Sequence, residues 1–161
     1  MIKVGDRLPE ATFRIKDDEG NVAKVTTGEY FAGKKVIVVG VPGAFTSTCH
    51  KSHIPAVIAG SDVMKAKGID KVAVLSVNDH HVMRAWAESL GGVGKVDFLA
   101  DGAAEFVKAA GLVNDVTAGG LGIRTHRFAM RVDDGVVKSL DLEPDNSKVA
   151  VSSAETILER L

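Results

Sequence analysis

Three short, almost entirely apolar runs constrain the fold of this chain more than any other feature. They are KKVIVVGVP from Lys34 to Pro42, KVAVLSVN from Lys71 to Asn78 and KVDFLAD from Lys95 to Asp101. Strands that are buried on both faces have continuous apolar runs, whereas strands with one solvated face alternate polar and apolar residues. The runs therefore predict sheet strands covered by helices on both sides, as in the α/β class.

Helical patterns follow each of these runs. Apolar residues recur at helical spacing over 50–67, where Pro55 is expected to interrupt or kink the helix. Asp79 is placed to cap a second helix that ends at Gly91, and Gly111 closes a shorter third helix. The alternation of strands and helices supports the α/β assignment.

The ends of the chain have a different pattern. Two alternating runs around an Asp-Asp-Gly turn predict a β-hairpin over 126–143, and Ser153 is placed to cap a final helix. A smaller hairpin is expected over 13–27, and the Gly-rich stretch 113–125 is expected to be a functional loop. We therefore predict an α/β sandwich with a central mixed sheet flanked by helices and an N-terminal β-hairpin extension.

Composition narrows the class of protein. The 161 residues show no linker-like shift in composition, which predicts a single domain over 1–161. A net charge of −1 without basic runs argues against nucleic acid or an anionic membrane as partner. No apolar segment has the length of a membrane span, and a single cysteine fits a reducing compartment. We expect a cytoplasmic protein, with an organelle as the alternative.

The single cysteine lies in the segment VGVPGAFTSTCH, which follows the first buried run. Pro42 and Gly43 turn the chain, and three hydroxyl residues that favour helix N-caps precede Cys49. A thiolate in the first turn of a helix is stabilised by unpaired N–H groups and by the helix dipole. Placement alone leaves two alternatives open, a reactive thiol and a buried structural cysteine.

These residues resemble a known family. Pro42-x-x-x-Thr46-x-x-Cys49 resembles the active-site signature of the peroxiredoxins, and GVPGAFTSTCHKSHIP is similar to the type II, or peroxiredoxin-five-like, group. Three further segments are similar to that group and occur in the same order: LSVNDHHVMRAWAE, FLADGAAEF and RFAMRVDDGVVKSLDLEPD. The resemblance covers nearly the whole chain and implies a thioredoxin-like fold and reduction of hydroperoxides to water or alcohols.

The resemblance also implies roles for five residues. Cys49 is the expected peroxidatic nucleophile, which becomes a sulfenic acid, and the Thr46 hydroxyl is expected to bond the thiolate and the peroxide. Pro42 is expected to shield the sulfur, and backbone N–H groups near Gly43 and Cys49 to hold the substrate. Arg127 is expected to reach the sulfur and to stabilise its charge and that of the leaving oxygen.

The role of Arg127 has alternatives within the sequence. A strand arginine can equally form a surface ion pair, and Arg124 is a nearby competitor for the cationic role. Ser47 departs from the proline that often follows the threonine of the signature, and we expect this change to tune the loop.

Many type II members carry a second, resolving cysteine, and this chain has none. The corresponding segment is KVAVSSAE, over 148–155. Cys49 must then be reduced by an external thiol, with no bound cofactor. Glutathione is the first expectation, with or without glutaredoxin, and a thioredoxin-like protein is the alternative. A disulfide between the Cys49 residues of two copies would require two active sites to meet.

The histidines and one phenylalanine need separate interpretation. Cys49, His50 and His53 resemble a metal cluster, but zinc sites usually show two well-spaced ligand pairs, so no metal is expected. His50 and His53 are expected to orient the loop or to lie at the rim of the site. An exposed Phe45 would match the family's usual homodimer, in which loops near the active sites pack together.

Two further classes of function compete with a peroxidase. A non-catalytic thioredoxin-like redox sensor or binding module would have an ordinary, slowly oxidised thiol. A cysteine hydrolase would need a histidine paired with Cys49, and His50 and His53 lie too close in sequence for an easy pairing.

Overall fold

A mixed β-sheet organises the chain in the computed structural model, which describes residues 1–17 and 19–161. The strands are β1 (Thr12–Lys16), β2 (Val22–Thr26), β3 (Lys35–Gly40), β4 (Lys71–Ser76), β5 (Asp97–Ala100), β6 (Val113–Val116), β7 (Gly122–Thr125), β8 (Phe128–Asp133) and β9 (Val136–Leu142). Within the described residues, seven of them form one sheet in the order β2-β1-β5-β4-β3-β8-β9. The β3–β4 and β4–β5 pairs are parallel, and the other pairs of this sheet are antiparallel.

Helices cover both faces of this sheet. They are α1 (Thr27–Phe31), α2 (Ile54–Ala66), α3 (His80–Leu90), α4 (Glu105–Ala110) and α5 (Ala154–Glu159), with a π-helical turn at Cys49–His53 and a 3₁₀ turn at Thr117–Gly119. One apolar core lies between the sheet and α2, α3 and α5, and a second lies between the sheet and α1 and α4.

Strand β3 shows why the first apolar run is continuous. Val36 and Val38 pack in the α1 and α4 core, while Ile37 and Val39 pack in the α2, α3 and α5 core. Since successive strand residues point to opposite faces, a strand covered on both sides needs an apolar residue at every position. The predicted central mixed sheet flanked by helices is confirmed.

The predicted helix ends and hairpins agree closely with the structure. The Asp79 side chain accepts from the Val82 N–H, the Ser153 side chain accepts from the Thr156 N–H, and Gly91 ends α3 in the left-handed conformation. The hairpin over 126–143 is the β8–β9 pair, and the N-terminal hairpin is the β1–β2 pair. Asp18, inside that N-terminal prediction, lies outside the described residues.

Two sequence predictions need correction, and one helix was not predicted. The Gly-rich stretch 113–125, which was expected to be a loop, is a small hairpin of β6 and β7. Helix α1 was not predicted, because its five residues are too few to show a helical period. Pro55 does not break the helix: it stands in the first turn of α2, where its missing N–H is tolerated. The irregularity is the π-helical turn immediately before it.

One packing detail fixes the end of β3 next to β8. A side chain at Gly40 would begin 2.0 Å from a ring carbon of Phe128, so β3 carries glycine where it pairs with β8.

Among the described residues, no helix is both long enough and apolar enough to cross a membrane.

Candidate active site

The loop between β3 and α2 positions Cys49 at the start of a helix. The chain becomes helical at Ser47, the His50 N–H donates to the Thr46 carbonyl at 2.8 Å, and Cys49 therefore lies in the first turn. The predicted hydroxyl caps are not formed as expected, because Thr48 makes no capping bond and the Thr46 hydroxyl donates to the Gly43 carbonyl at 2.7 Å. The backbone N–H groups of this turn are therefore the hydrogen-bond donors nearest to Cys49 along the chain.

Arg127 is the cation that the structure brings to this sulfur. Its Nη2 donates to Cys49 Sγ at 3.0 Å, and it is 2 % exposed while Cys49 is fully buried. The alternative of a surface ion pair is therefore wrong. Its Nε donates to the Asn146 carbonyl, and its Nη1 contacts His53 Nδ1 at 2.6 Å.

The charge of Arg127 has no carboxylate partner in the described part of the chain. The ion pairs found there do not include it, and its other hydrogen-bond acceptors are a carbonyl oxygen and a histidine nitrogen. A buried guanidinium without a counter-ion is costly. Cys49 Sγ, 3.0 Å from Nη2, is the atom in contact with this cation that could carry a negative charge.

His53 holds the guanidinium from the other side. Because arginine can only donate, His53 Nδ1 must accept, which places the ring hydrogen on Nε2, 2.8 Å from the Ser152 carbonyl. Burial, and to a lesser degree the charge of Arg127, lowers the pKa of His53 to about 4. The ring is therefore neutral at physiological pH, as its acceptor role requires.

Glu143 fixes the backbone segment that receives His53. Its carboxylate accepts from the N–H groups of Ala150, Val151 and Ser152 and from the Ser152 hydroxyl. Burial raises the pKa of Glu143, but these hydrogen bonds outweigh that effect and hold it below its ordinary value. A continuous hydrogen-bonded chain thus runs from Glu143 through Ser152, His53 and Arg127 to Cys49.

The titration of His53 should appear in the pH dependence of stability. Its pKa is about 4 in the folded chain against 6.5 ordinarily, so the unfolded chain binds more protons between these values. The contribution of His53 to the free energy of unfolding is complete above pH 6.5. It falls by about 3 kcal/mol as the pH drops towards 4. Denaturant unfolding at a series of pH values should show this loss in the wild type.

The matched variants isolate that contribution. His53→Gln keeps an acceptor and a donor but does not titrate, so its stability should fall less over this range than that of the wild type. His80→Gln, at the start of α3, should keep the wild-type pH dependence. Equal slopes for His53→Gln and the wild type would contradict the assignment.

The other predicted site residues lie in the loop that precedes Cys49. Gly43 is buried, and Pro42 and Thr46 are half-buried. The donor of Thr46 is used by the Gly43 carbonyl, so its oxygen is left to accept rather than to donate to the thiolate as predicted. Arg124, the predicted competitor of Arg127, instead donates from Nη1 to the Pro42 carbonyl at 3.3 Å and braces the loop.

Gly43 has no space for a side chain. A Cβ atom there would lie 2.7 Å from Arg124 Nη1 and 2.9 Å from the Thr46 methyl carbon. We expect Gly43→Ala to displace both side chains and to slow the oxidation of the reduced Cys49 thiol by about tenfold or more, because small misplacements at a reacting centre are costly. Gly119→Ala is the matched control, since nothing lies within 4 Å of that position. Equal rates of thiol oxidation for the two variants would show that the Gly43 packing does not matter.

The remaining histidines do not join the sulfur. Trp86 Nε1 donates to His50 Nδ1 at 3.0 Å, so this nitrogen is engaged by Trp86 rather than by Cys49. No group of three potential metal ligands lies together among the residues that the structure describes. Because both nitrogens of His53 are engaged, the structure provides no histidine base for a hydrolase at Cys49.

Three contributors to the site were not identified from the sequence. Asn146 binds Arg127 twice, since its side chain accepts from the Arg127 N–H and its carbonyl accepts from Nε. Ser152 and Glu143 act through His53. The turn-forming Asp-Asn-Ser sequence at 145–147 was the available signal for Asn146.

Comparisons with known proteins find relatives over nearly the whole chain. The profile of the Redoxin family matches residues 3–158. The chain is 46% identical over 164 aligned residues to peroxiredoxin-2E-2, chloroplastic, of Oryza sativa subsp. japonica, covering 99% of this chain and 72% of the relative.

Two solved structures are similar over nearly the full length. The reduced Prx3 of Vibrio vulnificus in complex with H₂O₂ is 46% identical, with a TM-score of 0.93 and coverage of 99% of both chains. Peroxiredoxin 5 of Alvinella pompejana is 30% identical, with a TM-score of 0.85 and coverage of 99% of this chain and 97% of that protein.

Proposed function

This chain belongs to the Redoxin family and is a thiol peroxidase of the peroxiredoxin type, and we propose that Cys49 is its peroxidatic nucleophile and that an external thiol reduces it. The observation that carries the assignment is the buried contact of Arg127 Nη2 with Cys49 Sγ at 3.0 Å. Cys49 is also the only cysteine of the chain.

The first half-reaction balances around the sulfur. The Cys49 thiolate attacks one peroxide oxygen, the S–O bond forms and the O–O bond breaks. The departing oxygen takes up a proton and leaves as water or an alcohol, and Cys49 becomes a sulfenic acid. Arg127 stabilises the thiolate beforehand and the negative charge that develops on the departing oxygen.

The loop residues position the peroxide. Thr46 accepts the O–H hydrogen of the peroxide through the oxygen that its bond to Gly43 leaves available. Backbone N–H groups of the helix start donate to the attacked oxygen, and Pro42 keeps bulk water from the sulfur. Hydrogen peroxide is the first substrate to test, since the similar Prx3 structure contains H₂O₂.

Glutathione is the reductant that we favour for the second half-reaction. The chain has no resolving cysteine, so one thiol attacks the sulfenic acid, releases water and forms a mixed disulfide with Cys49. A second thiol then releases glutathione disulfide and restores Cys49. Because the sulfur is fully buried, a tripeptide reaches it only when the segment around Cys49 opens locally.

A panel of reductants tests this choice. Steady peroxide consumption should be supported by glutathione, and more rapidly when glutaredoxin is added. Turnover that a thioredoxin system supports and glutathione does not would overturn the choice of glutathione. The peroxidase assignment is tested separately, by single-turnover oxidation of the reduced protein without any recycling thiol.

We also infer a homodimer formed near the active-site loop. Phe45 is 49% exposed and Leu121, in the β6–β7 turn, is 46% exposed. Arg124 connects the two segments, because it donates to both the Leu121 and the Pro42 carbonyls. Sedimentation velocity should give the mass of two chains, and a monomer at all concentrations would refute the inference.

A thiol that depends on glutathione requires a reducing compartment, and the cytoplasm is the compartment that we propose first.

A further inference from the structure

A cavity of about 240 Å³ lies between β8, β9 and the end of α5. Three cationic side chains line it, Arg131, Lys138 and Arg160, together with the carboxylate of Asp141. Neither Cys49 nor Arg127 lines this cavity, so the proposed peroxidase chemistry does not explain it.

Arg131, which lines this cavity, keeps one side-chain donor unused among the described residues. Its Nε atom is buried, and no atom in the described part of the chain accepts its hydrogen. A buried N–H of a charged group that lacks an acceptor is costly, so native structures rarely keep one without a reason. An acceptor oxygen supplied by a ligand would satisfy this donor.

A β-bulge brings a second cation to the same place. Arg131 pairs with Ser139 and Val132 pairs with Val137, so Lys138 is an extra residue in β9 without a partner in β8. In a regular strand, Lys138 and Ser139 would point to opposite faces, whereas here both line the cavity. Bulges are typically used to redirect a side chain, often near functional sites.

The charges of the cavity do not balance. Arg160 forms an ion pair with Asp141, but no ion pair found among the described residues includes Arg131 or Lys138. The other walls are apolar and come from Ile37, Ala129 and Ile157. The cavity thus has two positive charges that lack a counter-ion among the described residues, on Arg131 and Lys138. It also has an apolar floor, formed by Ile37, Ala129 and Ile157.

We propose that this cavity binds a small organic oxyanion, a phosphate monoester or a carboxylate, through Arg131 and Lys138. The guanidinium of Arg131 matches the geometry of both headgroups and satisfies its free donor. Lys138 adds a second positive charge, and the apolar floor accommodates the carbon skeleton of the ligand.

Titration calorimetry of the reduced protein at physiological salt tests the proposal with three probes: inorganic phosphate, phenyl phosphate and benzoate. We expect saturable binding of phenyl phosphate or benzoate, with the tighter of the two identifying the headgroup. Phenyl phosphate should bind more tightly than inorganic phosphate because only the former contacts the apolar floor. Absence of saturable binding for all three probes would overturn the proposal.

Variants locate the binding. Arg131→Met should weaken the better probe by about tenfold or more, since it removes charge-assisted hydrogen bonds. Lys138→Gln, at an exposed position that is safe for folding, should weaken it several-fold. Lys24→Gln is the matched control, because β2 and β9 form opposite edges of the sheet. Equal affinities for Lys138→Gln and Lys24→Gln would overturn the proposal, and single-turnover peroxide oxidation should be unchanged in both.

Discussion

Replacing Cys49 by serine should reduce peroxide turnover to the uncatalysed background, a loss of roughly 10³-fold or more, because it removes the nucleophile itself. Serine fills nearly the same volume, and its hydroxyl can still accept from Arg127. The chain should therefore fold, and thermal unfolding should show a cooperative transition. The decisive measurement is a single turnover of the reduced protein with hydrogen peroxide, followed by loss of peroxide.

The control for this experiment lies two residues away. Ser47 is exposed on the same helix start, and Ser47→Ala changes a hydroxyl without touching the sulfur. It should keep peroxide oxidation within a few-fold of the wild type. Residual peroxide reduction by Cys49→Ser at a rate near that of Ser47→Ala would refute the assignment of Cys49 as nucleophile.

The sequence predicted the architecture well because burial on both faces leaves a distinct pattern. The continuous apolar runs identified β3, β4 and β5, and the capping residues Asp79 and Ser153 identified helix starts correctly. Short elements left no such pattern. Helix α1 and the β6–β7 hairpin were missed for this reason.

The site was predictable only where its residues share a local motif. Pro42, Gly43, Thr46 and Cys49 lie within one loop, so sequence spacing alone placed them together. The members of the hydrogen-bonded chain that ends at Cys49 come from distant segments: Arg127 contacts His53 across 74 residues, and His53 contacts Ser152 across 99 residues. Such contacts depend on how β3, β8 and the segment before α5 pack, which no local pattern specifies.

The cavity between β8, β9 and α5 also could not be predicted from the sequence, because it depends on the bulge at Lys138. The sequence over 126–143 correctly predicted the β8–β9 hairpin, but strict alternation in β9 would put Lys138 and Ser139 on opposite faces. A single extra residue in one strand changes which side chains share a face. The oxyanion cavity is therefore a property of the register rather than of any motif.

Arg127→Lys should lower kcat/KM for peroxide by about 10²-fold or more, although it keeps the positive charge. Arginine divides its donors among three acceptors: Nε donates to the Asn146 carbonyl, Nη1 to His53 and Nη2 to Cys49 Sγ. A lysine ammonium is a single point on a flexible chain and cannot reproduce this fork. The thiolate would then lose a fixed donor, and the departing oxygen would lose the cation that stabilises it.

Arg124→Lys separates this role from a general effect of nearby positive charge. Among the described residues, Arg124 donates hydrogen bonds to backbone and amide oxygens around the loop, so its replacement should cost much less than the replacement of Arg127. The loss in Arg127→Lys should appear in the rate of single-turnover peroxide oxidation, and the reactivity of Cys49 towards a small alkylating agent should fall as well. Equal losses for the two arginine variants would mean that the sulfur responds to overall charge. In that case the buried contact of Arg127 with Cys49 would not be the cause of its reactivity.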